Sequence, residues 1–264
     1  MASLAATLIA PVATYAIVIR PGALDADYVV PDNAFPALVD LPGEGQGVLI
    51  SDQWVATAAH ATIGYMLDQV SIDGKNYPVA KVIRYPGFKK PSLEQKSGDA
   101  AHLMAELTSL NDIALIKLAK PVRGVPVVQL YTDSNELGKT VVIYGKGATG
   151  NGLVGQYPKS PHRGKLRRAY NVVTSIDSKW LNYRFDCGAH ALPLEGVMGD
   201  GDSGGPVLIK AGGVWKLDGL TSWKHWEGDL SGFRAGVCGQ TFSNVRISQY
   251  AGWINQVLGS ATYQ

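Results

Sequence analysis

The sequence predicts an all-β protein, and three observations carry that prediction. Ten short runs rich in β-branched and aromatic residues are each bounded by Gly, Pro, Asn or Asp, the pattern of strands joined by turns. Glycine is abundant, 31 of 264 residues, while long amphipathic helical patterns are scarce. The runs are also not separated by the regular helices that a parallel sheet needs for its crossovers. At this length one large β domain or two smaller ones sharing an interface are both open. Hydrophobic residues at 46% against charged residues at 17% supply a sizeable core and exclude a disordered chain.

In chain order, the predicted strands are "TYAIVIR", "QGVLISDQWVATAAH", "YPVAKVIRY", "DIALIKLA", "VPVVQLY", "TVVIYGKG", "YNVVTSI", "GPVLIK", "VWKLDGLTSW" and "TFSNVRIS". Two segments read as helical. Asp99 to Leu107 is the weaker. "ISQYAGWINQVLGS" at the C-terminus is the stronger, with Ile247, Tyr250, Ile254 and Val257 at helical spacing and Gly259 as a stop. The stretch from Pro121 to Pro126 is the natural boundary between halves. The division expected is 1–16 as a signal peptide or its remnant, 17–125 as a first β unit and 126–264 as a second with the C-terminal helix.

The opening run carries no charged side chain before Arg20, and Leu4 to Val12 resembles the apolar region of a secretory signal. It lacks a basic residue ahead of that region, so an ordinary N-terminal strand is the competing reading. Pro11 and nearby polar residues argue against a membrane anchor. Cys187 and Cys238 make an even count that permits one disulfide. A net charge of +2 is too small for a nucleic-acid binder, and the basic cluster "PHRGKLRR" reads as a solvated loop or strand edge. No metal or cofactor is called for. "LGKT" lacks the glycine that a phosphate loop needs, since Asp133 stands there, and "DGDSG" lacks the carboxylate spacing of a calcium loop.

"GDGDSGGPV", Gly199 to Val207, encloses Ser203 between glycines with Asp202 directly before it. A surface turn uses this composition, and so does a nucleophile on a tight bend with nearby backbone N–H groups free to receive an oxyanion. Such a serine needs a base. His60 stands at the end of the apolar run "WVATAAH". The base needs a carboxylate to hold its tautomer, and Asp112 opens "DIALIKL". Each is unremarkable alone: a packed histidine, a strand-entry acid, a turn serine. Their order, His, Asp, Ser, is that of chymotrypsin-type enzymes.

From about Gly45 to Ile254, the segments "GVLISDQWVATAAH", "NDIALIKL", "GDSGGPV", "SW" and "ISQYAGWI" follow one another as they do in trypsin-like, chymotrypsin-fold serine proteases, and the sequence resembles a bacterial-type member. The resemblance implies two antiparallel β-barrels packed together with the active site in the crevice between them. It implies Ser203 as nucleophile, His60 as general base and then acid, Asp112 as orienting carboxylate, and the N–H groups of Gly201 and Ser203 as oxyanion hole. Ser222 corresponds to a serine that donates to the buried aspartate, and Trp223 to the wall of the specificity pocket. The resemblance also places Cys187 on the strand leading towards the active-site loop and Cys238 near the strand after "SW", neighbours in the second barrel, and so implies that they pair.

The sequence departs from the family in several places. Half-cystines that usually flank the histidine strand are replaced by Gly45 and Ala61, and a third, four residues before the serine, by Gly199. The segment between His60 and Asp112 is long, with a polar insertion expected to form a loop beside the cleft. Lys224 replaces a glycine that usually pairs with extended substrate. Val197 stands where trypsins carry the pocket-floor aspartate, followed by Met198. A valine cannot compensate a buried Lys or Arg charge, so a small or medium apolar residue before the cleaved bond is expected. Asp202 is expected either to pair with a new amine at Ile17, released by cleavage after Ala16, or to be satisfied by internal hydrogen bonds.

The expected function is a secreted or periplasmic serine endopeptidase, monomeric, acting on protein or peptide substrates through an acyl-enzyme. The alternatives are a protease-fold binding protein without catalysis and a mainly esterolytic hydrolase.

Overall fold

Sixteen strands organise the chain in the computed structural model, which describes residues 16–92, 97–158, 160 and 163–260. The stretch read as a signal lies, apart from Ala16, outside the described residues. The first half runs β1 (Ile17–Ile19), β2 (Leu38–Asp40), β3 (Gln46–Ser51), β4 (Trp54–Thr57), β5 (Gln69–Ile72), β6 (Lys75–Arg84), α1 (Ala101–Ser109) and β7 (Ala114–Leu118). The second half runs β8 (Thr140–Gly145), β9 (Thr149–Asn151), β10 (Gly155–Gln156), β11 (Arg167–Ile176), β12 (Trp180–Arg184), β13 (Gly196–Val197), β14 (Pro206–Ala211), β15 (Val214–Lys224), β16 (Thr241–Arg246) and α2 (Ile247–Ser260).

β2-β3-β4-β7-β6-β5 close one barrel and β11-β12-β16-β15-β14-β8 close the other. All strand pairs within the barrels are antiparallel. Two closed barrels with a short C-terminal helix are the fold class the family resemblance implies. Closure removes the sheet edges that an open antiparallel sheet would leave unpaired.

The short strands β2, β5, β9, β10, β12 and β13 lie outside the predicted runs, and three other elements depart from the sequence expectation. "VPVVQLY" is not a strand: Val128 N–H donates to Leu49 O in the first barrel, and Tyr131 N–H to Leu217 O in the second. Its apolar residues tie the barrels together, and Pro126 removes one ladder donor. β1 was expected in the first barrel but pairs parallel with β9 and antiparallel with β13. Its three residues are apolar and buried in the second core cluster, which a strand exposed on one face would not allow. The insertion after His60 carries α1 rather than a plain loop. The helix starts two residues later than predicted, because Asp99 accepts the Ala101 N–H at 2.9 Å from outside it.

Cys187 and Cys238 are bonded, with an S–S distance of 2.02 Å. Cys187 was expected on a strand, but both lie in connections, Cys187 just beyond β12 and Cys238 just before β16.

β15 bulges at Asp218, between the pairs Val207↔Gly219 and Leu208↔Leu217. The side chain is fully buried, and neither carboxyl oxygen has a hydrogen-bond partner among the described residues. Burial first, and the Glu136 charge second, push its pKa up to about 8. The folded chain therefore keeps a proton that the unfolded chain releases near pH 4, so stability falls as pH rises between about 4 and about 8. Asp218→Asn, which stays neutral, is expected to gain on the parent by an increment on the order of several kcal/mol across that window. Thermal melts at pH 4.5 and 8.5 measure it. A difference in Tm that stays constant with pH would contradict the assignment.

Candidate active site

His60 begins a single 3-10 turn, His60–Thr62, shortly after β4, and Asp112 lies two residues before β7. β4 and β7 are antiparallel neighbours with Thr57 opposite Ala114, so their ends bring the two side chains together. Asp112 Oδ2 is 2.6 Å from His60 Nδ1, and Oδ1 accepts the His60 backbone N–H at 2.8 Å. A third donor crosses from the other barrel: Ser222 Oγ, on β15, lies 2.5 Å from Asp112 Oδ2. Asp112 is buried while the His60 side chain is 27% exposed, which leaves the imidazole edge open to a cavity. Burial opposes the imidazolium, but the charge and hydrogen bond of Asp112 outweigh it and raise the His60 pKa above its ordinary value.

Ser203 occupies the turn between β13 and β14. Its neighbours explain the glycines of this stretch. A Cβ on Gly204, where φ is 78°, would lie 2.2 Å from Thr57 Oγ1 and 2.4 Å from Gln46 O. The first barrel thus presses directly on the serine loop, and Gln46 N–H donates to Ser203 O at 2.7 Å. Gly201 has φ 88°, in the left-handed region that only glycine enters freely. The N–H groups of Gly201 and Ser203 have no hydrogen-bond partner among the described residues, an arrangement suited to receiving a negative oxygen.

Asp202 is fully buried. Gly147 N–H donates to its Oδ1 at 2.6 Å and Gly199 N–H to its Oδ2 at 2.9 Å. Burial raises its pKa to about 6, against the lowering effect of those amides. A Cβ on Gly145 would lie 2.2 Å from Oδ1, so "GKG" at Gly145–Gly147 is a fitted cradle for this carboxylate. Both oxygens are engaged while Ile17 remains joined to Ala16. At the replaced half-cystine positions, a Cβ on Gly45 would stand 2.8 Å from Ala61 Cβ, and packing at this short range fills the place of the missing bridge.

His60, Asp112, Ser203, Ser222, Trp223 and Lys224 line one cavity of about 480 Å³. Trp223 is held edge-on against Trp180, with ring centroids 5.6 Å apart. Lys224 Nζ pairs with Asp200. Val197, expected at the pocket floor, pairs with Val18 in β1, and both Val197 and Met198 are buried in the second core cluster; neither is among the residues that line this cavity. Sequence reasoning missed Asp200 and the apolar wall, to which α1 contributes Leu103, Met104 and Leu107. The i, i+1, i+4 spacing of these three in "AHLMAEL" was the available signal.

α1 and the residues just before it are fastened to the second barrel. Trp180 Nε1 donates to Thr108 O at 2.8 Å, and Leu230 N–H to Gly98 O at 2.8 Å. The inserted segment is thereby fastened to the 225–233 connection of the second barrel and walls the cleft on that side. Among the described residues no cluster of three or more His, Cys, Asp or Glu side chains could hold a metal, and no helix is long and apolar enough to cross a membrane.

The sequence matches the family described as Trypsin over residues 27–254. It is 24% identical to mouse vitamin K-dependent protein C over 234 residues, 81% of this chain and 46% of that protein. It is 29% identical to protein masquerade of Drosophila melanogaster over 228 residues, 80% of this chain and 20% of that one. The chain thus spans less than half the length of these curated relatives. Among solved structures it is similar to neuropsin, a serine protease expressed in the limbic system of mouse brain, with a TM-score of 0.65 and 21% identity, covering 88% of this chain and 98% of that one. The neuropsin likeness speaks for the fold, and the family match spans most of both barrels: this chain belongs to the trypsin family.

Proposed function

We propose that the protein is a serine endopeptidase that cleaves peptide bonds through an acyl-enzyme. The observation that carries this reading is the division of labour around Asp112. Three donors engage the buried carboxylate, one of them His60 Nδ1, while the imidazole and Ser203 face a common cavity beside two unpartnered N–H groups.

In the proposed reaction, Ser203 Oγ attacks the substrate carbonyl as His60 Nε2 takes its proton, and Asp112 stabilises the imidazolium. The carbonyl oxygen becomes an oxyanion facing the N–H groups of Gly201 and Ser203. His60 then returns the proton to the leaving amine, and water repeats the sequence in reverse to release the acid. No hydrogen bond joins His60 to Ser203 in the resting structure, and such contacts commonly tighten only once substrate is bound.

An apolar residue on the acyl side suits the cleft. Its carboxylates, Asp112 and Asp200, are already paired with His60 and Lys224, leaving no counter-charge for a buried Lys or Arg. Leu103, Met104, Leu107, Leu230 and Phe233 add an apolar wall for side chains further along the peptide. Secretion accords with the disulfide.

A serine-directed phosphonate tests the proposal, with cleavage of a peptide library as the second arm. Stoichiometric labelling that maps to Ser203, and cleavage after small or medium apolar residues, are expected. A chain that neither labels nor cleaves refutes the enzyme. Cleavage confined to Arg and Lys sites refutes the specificity.

A further inference from the structure

We infer that Gln156 is a positioning residue for the oxyanion site, fixing Asp200 so that the Asp200–Gly201 peptide keeps the Gly201 N–H turned into the cleft. The inference rests on the peptidase reading above and adds to it a residue that touches none of the reacting atoms.

The Gly201 N–H shares a peptide plane with the Asp200 carbonyl. The described chain has no cis peptide bonds, so the two groups point in opposite directions. Ala148 N–H donates to Asp200 O at 2.6 Å, which directs the Gly201 N–H away from the 145–156 segment. Nothing in the glycine itself keeps it there. With no Cβ at residue 201, rotation of this peptide plane meets little steric resistance, and a rotated plane would present the Asp200 carbonyl oxygen to a developing negative charge.

Ala148 holds the plane by its carbonyl, and Gln156 fixes Asp200, the residue on which the plane pivots. Gln156 Oε1 accepts the Asp200 N–H at 2.8 Å, and its Nε2 donates to Asp200 Oδ2 at 2.8 Å. The side-chain amide thus closes a two-bond ring on one residue, the bidentate geometry that fixes orientation as well as position. Lys224 Nζ holds the other carboxyl oxygen. Asp200 is therefore gripped at its N–H, its C=O and both ends of its carboxylate.

The grip is anchored. Gln156 N–H donates to Ala235 O at 2.7 Å, and β10 pairs with β9 through Gln156↔Gly150 and Gly155↔Asn151. Gly155 has φ 79°, and a Cβ there would lie 2.6 Å from Ala235 O, so this strand end sits close against the 235–236 connection. Two residues beyond Asp200, Asp202 is fastened to the same 145–156 segment through Gly147. The oxyanion loop is tied at residues 200 and 202, on either side of Gly201, with Ile17 still joined to Ala16.

Gln156→Ala and the isosteric Gln156→Glu test the inference. The glutamate keeps the side chain's volume but sets a second carboxylate against Asp200 Oδ2, so its effect does not depend on a hole in the fold. Both variants are expected to lower kcat by about 10- to 100-fold, less than the 10²–10³ lost when an oxyanion donor is removed outright, with KM within about twofold of the parent. Affinity for a peptide aldehyde, which places an oxyanion in the site, should fall by the same factor as kcat, whereas affinity for the product peptide should hold. An unchanged kcat in both variants, or a loss confined to KM, overturns the role of Gln156. Failure of the parent to label or turn over would instead refute the peptidase reading on which it rests.

Discussion

Ser203→Ala is expected to abolish nearly all turnover, with kcat falling by about 10⁶-fold while the fold stays intact. The attacking oxygen is lost, and no structural bond is lost with it, because Ser203 Oγ has no hydrogen-bond partner among the described residues. His60→Ala should cost a comparable factor, since without a base the serine stays protonated and equally inert. The decisive measurement is the double variant. If the two side chains form one unit, removing both should be little worse than removing either. Losses that multiply would mean that each acts alone and would sink the proposed roles. Stability should separate the singles: His60→Ala removes one of the three donors to the buried Asp112 carboxylate, a cost of about 1–3 kcal/mol, which Ser203→Ala does not incur.

What the sequence made legible follows from where the physics is local. "GDSGGPV", "AAH" and "NDIALIKL" each set a short backbone path, and short paths survive translation into structure almost unchanged. The barrels were legible because alternation and turn residues recur at strand spacing. β12 was missed because "WLNYR" alternates poorly, yet its register against β16 buries Leu181 and Tyr183 all the same. β1 was read as a strand but assigned to the wrong partner, since nothing within three apolar residues says which sheet edge lies vacant. Val197 shows the limit most sharply. Its position relative to Ser203 matched the family's pocket floor, but its pairing with Val18 and burial in the core depend on a segment some 180 residues earlier in the chain. The clamp on Asp200 was equally hidden: Gln156 is an unremarkable glutamine until β9 and β10 fold it back against residue 200.

Asp112→Asn is expected to lower kcat by about 10⁴-fold and to move the titration of His60 in a defined direction. The amide can present an N–H to Nδ1, which places the ring proton on Nε2, the nitrogen that must accept from Ser203. The variant can therefore hold its geometry and still carry the wrong tautomer. The pH dependence follows from the same carboxylate. In the parent, burial favours neutral His60 but Asp112 outweighs it, so the folded-state pKa lies above 6.5. The acid limb of kcat/KM should report that raised value, because only neutral imidazole serves as base. Removing the negative charge leaves burial and the nearby Lys224 cation, both of which lower the pKa. His60 in the variant should then titrate below 6.5. The stability linkage reverses with it. The parent gains stability from His60 that is fully present below pH 6.5 and is lost as pH rises through the raised folded pKa. The variant instead loses stability as pH falls from 6.5 through its depressed one. NMR titration of the His60 ring protons, run with thermal melts across pH 4 to 9, reads both effects. A variant histidine that still titrates above 6.5 would show that Asp112 is not what charges it and would remove this carboxylate from the proposed mechanism.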